Sequence, residues 1–204
     1  MDELSSLAVQ ARRGDPPVMA AFIRATQRDV YSLCAYLVDE DTAGDLAQET
    51  YLRLFRALPE FRTESSSRTW VLSITRRVCM DELRRRARRA RRARRSRRGL
   101  WGGLRRGPTV VPELSTEFSS ERSEPLGDDD QAEMRELLRQ LPEDRRAAFV
   151  LTQIVELSYA EAADICQCPP DTVGSRLARA RRDLIRALEP DERTRPVIES
   201  QDEP

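Results

Sequence analysis

Residues 157–184 read LSYAEAADICQCPPDTVGSRLARARRDL, and this stretch predicts two helices joined by a short break. Ser158 and Glu161 have the spacing of a capping box, in which each side chain bonds the backbone amide of the other residue, so a helix begins here. Residues 169–170 are a proline pair, and proline lacks the N–H that a helix interior requires. A longer helix then starts at Asp171. The pair forms a helix-turn-helix pattern, which is typical of DNA-binding domains.

The second helix of this pattern has two different faces. Its apolar residues recur every three or four positions and face the predicted core: Val173, Leu177, Ala180 and Leu184. The other face is basic, and arginine bonds guanine in bidentate fashion and also grips phosphates. The candidates for base and phosphate contacts, near the amino end of the helix, are Thr172, Ser175, Arg176 and Arg179. The alternative interpretation is a solvated arginine-rich face on a helix that only packs.

The composition excludes several chemistries. The chain has 204 residues, with 35 basic and 35 acidic side chains and no histidine, and every basic residue is arginine. Histidine bases, histidine metal ligands and catalytic lysines are therefore absent, and no glycine-rich phosphate loop occurs. We expect neither an enzyme nor a bound cofactor or metal. Cys166 and Cys168 are interpreted as small apolar residues, since a zinc site would need two further ligands.

Although the net charge is zero, basic and acidic residues are segregated in the middle of the chain. Residues 84–106 hold 13 arginines and no acid, and residues 107–130 hold seven acids and one arginine. Like charges at helical spacing repel, so we expect a helix to weaken after its first turns here. We predict a flexible linker over 88–130. The arginine run in it could contact upstream DNA or nascent RNA, or be only a compositional tract.

The blocks on either side of this linker have helical periodicity and no sustained alternation. One predicted helix buries Ala43, Ala47, Thr50, Tyr51, Leu54 and Leu58, and Pro59 ends it. A capped helix follows near Ser66 or Ser67, with Trp70 more consistent with the core than with base stacking. We predict an all-α fold of two small helical domains, with boundaries at 1–87 and 131–189 and a disordered acidic tail at 190–204.

The helix-turn-helix stretch resembles region 4 of the extracytoplasmic-function (ECF) sigma factors. The matching segments are residues 141–143, 157–163, 168–169 and 172–181. The first block resembles region 2 of the same family independently: residues 45–53 are similar to its core-polymerase-binding segment, and residues 69–76 and 81–85 to its promoter-melting helix. Both matches occur in the expected order, with a linker between them.

This resemblance implies a division of labour. Region 2 would dock on the largest subunit of bacterial core RNA polymerase and open the minus-10 element of promoter DNA. Region 4 would dock on the second-largest subunit and bind the minus-35 element. The implied function is recognition of both elements and DNA opening for transcription initiation. An ordinary helix-turn-helix repressor with a helical sensing domain is the alternative, but it would not need the stripe at residues 45–53.

The resemblance also assigns site residues. For core-polymerase binding these are Asp45, Gln48, Glu49, Leu52, Arg53 and Arg56. For minus-10 DNA they are Arg62, Ser65, Ser66, Arg76, Arg77, Arg84 and Arg85. Asp81 interrupts this basic face, and two roles stay open for it: positioning an arginine or helping to exclude the duplex. Gly174 departs from the family pattern, which often has a basic residue there.

Location and partners follow from the same features. The acidic start lacks a long apolar stretch, and the longest apolar runs are too short to span a membrane, so we expect a cytoplasmic chain. We expect it to be a monomer when free, and an anti-sigma factor is left open as a further partner.

Overall fold

The computed structural model describes residues 3–61, 66–98 and 128–188, and every regular element in these ranges is helical. The helices are α1 (Glu3–Ala11), α2 (Pro16–Leu37), α3 (Glu40–Ala57), α4 (Ser67–Arg98), α5 (Asp128–Gln140), α6 (Glu143–Phe149), α7 (Tyr159–Cys166) and α8 (Pro170–Leu188). A 3-10 turn (Leu58–Glu60) follows α3, and a π-helical turn (Val150–Ile154) follows α6. The all-α prediction is confirmed. Residues 99–127 of the predicted linker and the predicted tail at 190–204 lie outside the described residues.

Helices α1–α4 form the N-terminal block around an apolar core. Phe22, Leu54 and Val71 contribute to it from three different helices and are almost completely buried. The chain turns between α1 and α2 at Gly14, which adopts a φ of 74°, and Pro16 then opens α2. The six residues predicted to form the buried face of α3 and its end are buried: Ala43, Ala47, Thr50, Tyr51, Leu54 and Leu58.

Helix α4 is 32 residues long and continues to Arg98, eleven residues beyond the domain boundary predicted at residue 87. This differs from the expectation that charge repulsion weakens the helix soon after Arg84. Each like-charge pair at helical spacing costs only about 0.2–0.5 kcal/mol. Arginine and alanine are among the best helix formers, and an extension of a folded helix needs no new nucleus. Propensity therefore outweighs repulsion along the helix as far as Arg98.

Helices α5–α8 form the C-terminal block, and the helix-turn-helix is present as predicted. Helix α7 ends at Cys166, Gln167 adopts a left-handed conformation with φ of 54°, and α8 begins at Pro170. The predicted core side of α8 is buried: Val173, Leu177, Ala180 and Leu184. The Ser158 hydroxyl accepts a bond from the Glu161 amide at 3.3 Å, and the Glu161 carboxylate accepts one from the Ser158 amide at 2.9 Å. This capping box fixes where α7 begins.

Ser158→Ala should lower the free energy of unfolding by about 1 kcal/mol, because the first turn of α7 loses its hydroxyl acceptor. Urea unfolding at neutral pH measures the effect. Ser175→Ala is the matched control, since that serine is exposed inside α8 and its hydroxyl only bonds the Thr172 carbonyl of the same helix. Equal losses in the two variants would contradict a capping contribution.

The same cap makes stability depend on pH. Hydrogen bonds from the Ser158 hydroxyl and amide lower the pKa of Glu161 below its ordinary value. A carboxyl with a lowered folded pKa contributes stability above its unfolded pKa, and this contribution is lost as pH falls through the folded value. In Ser158→Ala this part of the acid sensitivity should be smaller.

The two blocks pack against each other along an interdomain seam, which we define by the contacts of α2, α3 and α4 with α5–α8. Leu37 and Leu72 belong to the same buried apolar cluster as Leu138 and Leu151. Helix α7 lies against α4, and α5 and the π-helical turn lie against α2. The two blocks therefore share buried apolar surface, although the sequence indicated two separate small cores.

Three arginines cross this seam with polar contacts. Arg68 donates to the Val155 carbonyl at 2.9 Å and to Asp29 at 2.6 Å. Arg135 donates to the Glu40 carboxylate at 2.6 Å, and its guanidinium lies 5.5 Å from the centre of the Tyr36 ring. The third arginine, Arg146, is the most buried. These contacts define a specific orientation of one block against the other.

Arg146 lies where two helices end. Its guanidinium donates to the Leu37 carbonyl at 2.8 Å, the Leu141 carbonyl at 3.3 Å and the Arg139 carbonyl at 3.4 Å. Leu37 is the last residue of α2, and the other two carbonyls lie at the end of α5. Carbonyls at a helix carboxyl end lack intrahelical partners and carry partial negative charge, so a cation is favourable there. Burial lowers the pKa of Arg146, since desolvation disfavours its charged form.

Candidate functional site

The first candidate site is the α3 patch, which comprises Asp45, Gln48, Glu49, Leu52, Arg53 and Arg56. Helix α3 places these residues on the side opposite its buried face. Leu52 is 48% exposed in the middle of the patch, which is unusual for a leucine flanked by polar residues on a folded helix. Asp45 and Arg56 are also exposed. The arrangement offers an apolar centre with a charged rim, which suits a protein partner.

Two members of the α3 patch are already paired within the chain. Arg53 donates to Glu49 at 2.7 Å and to Asp81 on α4 at 2.8 Å. Bonds to these carboxylates, Asp81 first, raise the pKa of Arg53. The pair with Asp81 is about half exposed, with side-chain exposures of 40% and 51%, so it contributes less than about 1 kcal/mol. Of the two roles left open for Asp81, this contact supports positioning an arginine.

The second candidate site lies on α4. Ser66 immediately precedes the helix, and Arg77 and Arg84 are exposed along it. Arg85 donates to Glu82 at 2.6 Å and so has part of its charge neutralised. Two of the predicted minus-10 residues, Arg62 and Ser65, lie outside the described residues. The exposed members therefore form an incomplete basic face on this helix.

Arg76 differs from the other residues predicted on this face, because it is only partly exposed. Its Nε atom is buried and has no hydrogen-bond partner. Burial raises the pKa of the Cys166 thiol on α7, and the nearby positive charge of Arg76 has a smaller, opposite effect on that pKa. Helix α7 thus covers part of the face on which Arg76 was predicted to contact DNA.

The third candidate site is the amino-terminal half of α8. Ser175 and Arg179 are exposed, and Thr172 is partly exposed. Arg176 is held more firmly than the sequence indicated: it donates to Asp144 at 2.9 Å and to the Cys168 sulfur at 3.6 Å, and its side chain is 22% exposed. All four predicted residues lie in the amino-terminal half of α8, but the bond to Asp144 of α6 fixes the position of the Arg176 side chain.

Gly174 lies beneath the Tyr159 ring of α7. A Cβ atom at this position would lie 3.6 Å from the Tyr159 Cε2 atom, which is ordinary van der Waals contact. A larger side chain would have to extend past the ring, which is itself 47% exposed. The glycine that departs from the family pattern therefore lies next to a partly exposed aromatic ring.

Sequence reasoning missed the residues that join the two blocks. Arg68, Arg135 and Arg146 resemble any other arginine in an arginine-rich chain, and their partners are far away in sequence. It also missed a thiol pair, in which the Cys79 and Cys34 sulfurs lie 3.7 Å apart in the buried core. The raised pKa of Cys34, caused first by its contact with Cys79 and then by burial, indicates a protonated, unreactive thiol.

Two other kinds of feature are absent from the described residues. In the described ranges, no group of three or more histidine, cysteine or acidic residues could hold a metal ion. None of the described helices combines the length and the apolar character that crossing a membrane would require.

Comparison with known proteins adds independent matches to both blocks. The family model for Sigma-70 region 2 matches residues 22–89, and that for Sigma-70 region 4 matches residues 131–184. The chain is 39% identical over 194 residues to the ECF RNA polymerase sigma factor SigC of Mycobacterium tuberculosis, covering 95% of each protein. It is 31% identical to the RNA polymerase sigma-H factor of Pseudomonas aeruginosa, covering 90% of this chain and 93% of the relative.

A solved structure shows the same fold. CnrH, in a complex with the cytosolic domain of CnrY, matches with a TM-score of 0.63 and 22% identity, covering 92% of this chain and 97% of CnrH. At this identity the likeness concerns the arrangement of helices alone.

Proposed function

Because the chain belongs to the ECF RNA polymerase sigma factors, with region 2 and region 4 domains, we propose that its three exposed surfaces divide polymerase binding and promoter recognition between them. As a sigma factor it is a non-catalytic subunit that binds RNA polymerase and initiates transcription. The assignments of single residues to partners are our proposals.

The α3 patch is the proposed contact with the largest subunit of core polymerase. The observation that carries this proposal is the exposed leucine at its centre, since Leu52 is otherwise an unexplained apolar residue on a polar face. Its charged rim can set the orientation of the partner while Leu52 supplies apolar contact area. Arg53 would contribute to the same contact, with its guanidinium held in position by Asp81.

DNA recognition is assigned to the other two surfaces. In region 2, α4 and the segment before it would bind the minus-10 element through Arg62, Ser65, Ser66, Arg76, Arg77, Arg84 and Arg85. In region 4, α8 would enter the major groove of the minus-35 element with Thr172, Ser175, Arg176 and Arg179. Region 4 would also dock on the second-largest subunit. Promoter opening would use binding energy, without a cofactor.

We propose that region 2 comprises residues 1–87, the linker residues 88–130, region 4 residues 131–189 and the tail residues 190–204. The family matches at 22–89 and 131–184 support the first and third. We place the protein in the cytoplasm with the polymerase and expect a monomer when it is free. Control by an anti-sigma factor, through a protein partner bound as the cytosolic domain of CnrY binds CnrH, is a further proposal.

Run-off transcription with purified core polymerase on genomic fragments tests the function. We expect transcripts from defined start sites only when this chain is added. Binding of the free chain to a symmetric operator, with no effect on polymerase, would instead support a repressor.

Arg176→Ala should weaken binding of the holoenzyme to minus-35 DNA about tenfold, because one guanidinium contact with a base or phosphate is lost. Competition between promoter and unrelated duplexes measures it. A base contact predicts a much larger loss on the promoter than on unrelated DNA. Equal losses on both would restrict Arg176 to a phosphate contact.

Asp144→Asn is the control for this variant. It removes the charge that holds Arg176 at 2.9 Å but keeps the guanidinium. If Arg176 contacts DNA, this variant should bind the minus-35 element at least as well as the wild type. If Arg176 only stabilises region 4, both variants should lose stability and DNA affinity together.

A further inference from the structure

The distal half of α4 carries positive charge that the proposed function does not use. Residues 84–92 contain seven arginines in nine positions. The first three are compensated: Arg84 lies 3.8 Å from Asp81, and Arg85 and Arg86 bond Glu82. The remaining four are exposed and have no carboxylate partner within the part of the chain that the structure describes: Arg88, Arg89, Arg91 and Arg92. Beyond them the helix continues to Arg98, and the sequence supplies four more arginines.

Several of the arginines of α4 form a row on the side of the helix that points away from the core. Arg77, Arg84, Arg88 and Arg91 follow one another at intervals of seven, four and three residues, which keeps side chains on one side of a helix. The opposite side of α4 carries the buried Val78 and Cys79. We call this row the α4 arginine stripe. At a rise of about 1.5 Å per residue, it is about 21 Å long.

The spacing of charge along this helix decides which polyanion fits. The four uncompensated arginines within residues 88–92 correspond to one positive charge per roughly 2 Å of helix axis. Duplex DNA carries one negative charge per about 1.7 Å of its axis, whereas a single strand carries one per about 3.4 Å. The described arginines therefore match the charge density of a duplex better than that of single-stranded RNA or DNA. The planar guanidinium also suits bidentate bonds with phosphate.

We propose that Arg88 and Arg91 of the α4 arginine stripe, with their neighbours Arg89 and Arg92, bind the phosphate backbone of duplex DNA without reading its sequence. The alanines at positions 87 and 90 are small, so they allow the helix to approach the backbone closely. This surface adds affinity beside the proposed minus-10 contacts, and specificity is left to other residues. Bound phosphates would also remove the repulsion between neighbouring arginines and stabilise the distal part of α4.

The test measures binding of the full-length chain, without polymerase, to a fluorescent 40-base-pair duplex of unrelated sequence across a range of salt concentrations. Arg88, Arg91 and Arg92 are replaced together by glutamine, which has a similar helix propensity. The control replaces Arg13, Arg24 and Arg28 by glutamine, an equal change of charge at exposed arginines outside α4. A third variant replaces the three α4 arginines by lysine.

The glutamine variant should bind the duplex about tenfold more weakly at low salt, and the slope of log K against log salt should fall by about two to three. The control should change affinity less than twofold, and the lysine variant should keep most of it, since lysine also binds phosphate. Equal losses in the α4 and control variants would overturn the proposal. So would a lysine variant as weak as the glutamine variant, or a larger loss on single-stranded RNA of equal length. Because no polymerase or promoter is used, failure here is separate from failure of the proposed function.

Discussion

Leu52→Glu should weaken binding of the chain to core RNA polymerase by more than about 100-fold, or about 2.7 kcal/mol. The leucine is 48% exposed in the free chain and lies at the centre of the proposed contact. A glutamate there would lose apolar contact area and would also place a carboxylate where water is excluded on binding. Quantitative pull-down or fluorescence anisotropy with purified core enzyme measures the change.

The variant should fold normally, because leucine and glutamate have similar helix propensities and position 52 contributes little to the core. Circular dichroism and urea unfolding check this point. Val9→Glu is the matched control, since Val9 is another exposed apolar residue, 37% exposed on α1. It should leave polymerase affinity within about twofold. Unchanged affinity in Leu52→Glu would refute the assignment of the α3 patch.

Arg146→Ala should lower the free energy of unfolding by about 3 kcal/mol. The substitution removes the donors for carbonyls at the ends of α2 and α5, and each buried acceptor left without a partner costs about 1–3 kcal/mol. It also leaves a cavity where a long side chain was 7% exposed. Urea unfolding of the full chain, followed by circular dichroism, measures the loss.

Arg145→Ala is the control for Arg146→Ala, because the neighbouring arginine occupies the same helix. Arg145 bonds Asp183 at 2.5 Å, and its side chain is 33% exposed, so we expect a loss below about 1 kcal/mol. Arg146→Met separates the two contributions, since it fills much of the space but supplies no donor. Equal effects of the alanine substitutions at 145 and 146 would show that the carbonyl contacts contribute little.

The parts of the fold that could be predicted are those determined by residues close together in sequence. The capping box of Ser158 and Glu161 and the proline pair at 169–170 act within a few positions, so they locate α7 and α8 from sequence. The buried face of α8 follows in the same way from its three- and four-residue spacing. Exposure of Leu52 could also be predicted, because most of the apolar residues of its helix lie on the other face.

The interdomain seam could not be predicted, because its contacts join residues far apart in sequence. Arg146 and Leu37 are separated by 109 positions, and nothing local marks either as a partner. The tethering of Arg176 by Asp144 is similar, with 32 positions between them. The length of α4 differs from the sequence expectation for another reason: the helix propensity of arginine and alanine exceeds the repulsion between neighbouring charges.

The packing of α7 on α4 has a geometric consequence for promoter binding. By their names, the two promoter elements are centred about 25 base pairs apart, or about 85 Å along straight B-form DNA at about 3.4 Å per base pair. Helices in van der Waals contact cannot reach both positions at once. If both elements are bound as proposed, the halves of the protein must part first, which frees Arg76 and deprives Arg146 of the Leu37 carbonyl. The energy of that parting is subtracted from promoter affinity, so a substitution that loosens the seam would tighten DNA binding even though it touches no nucleotide.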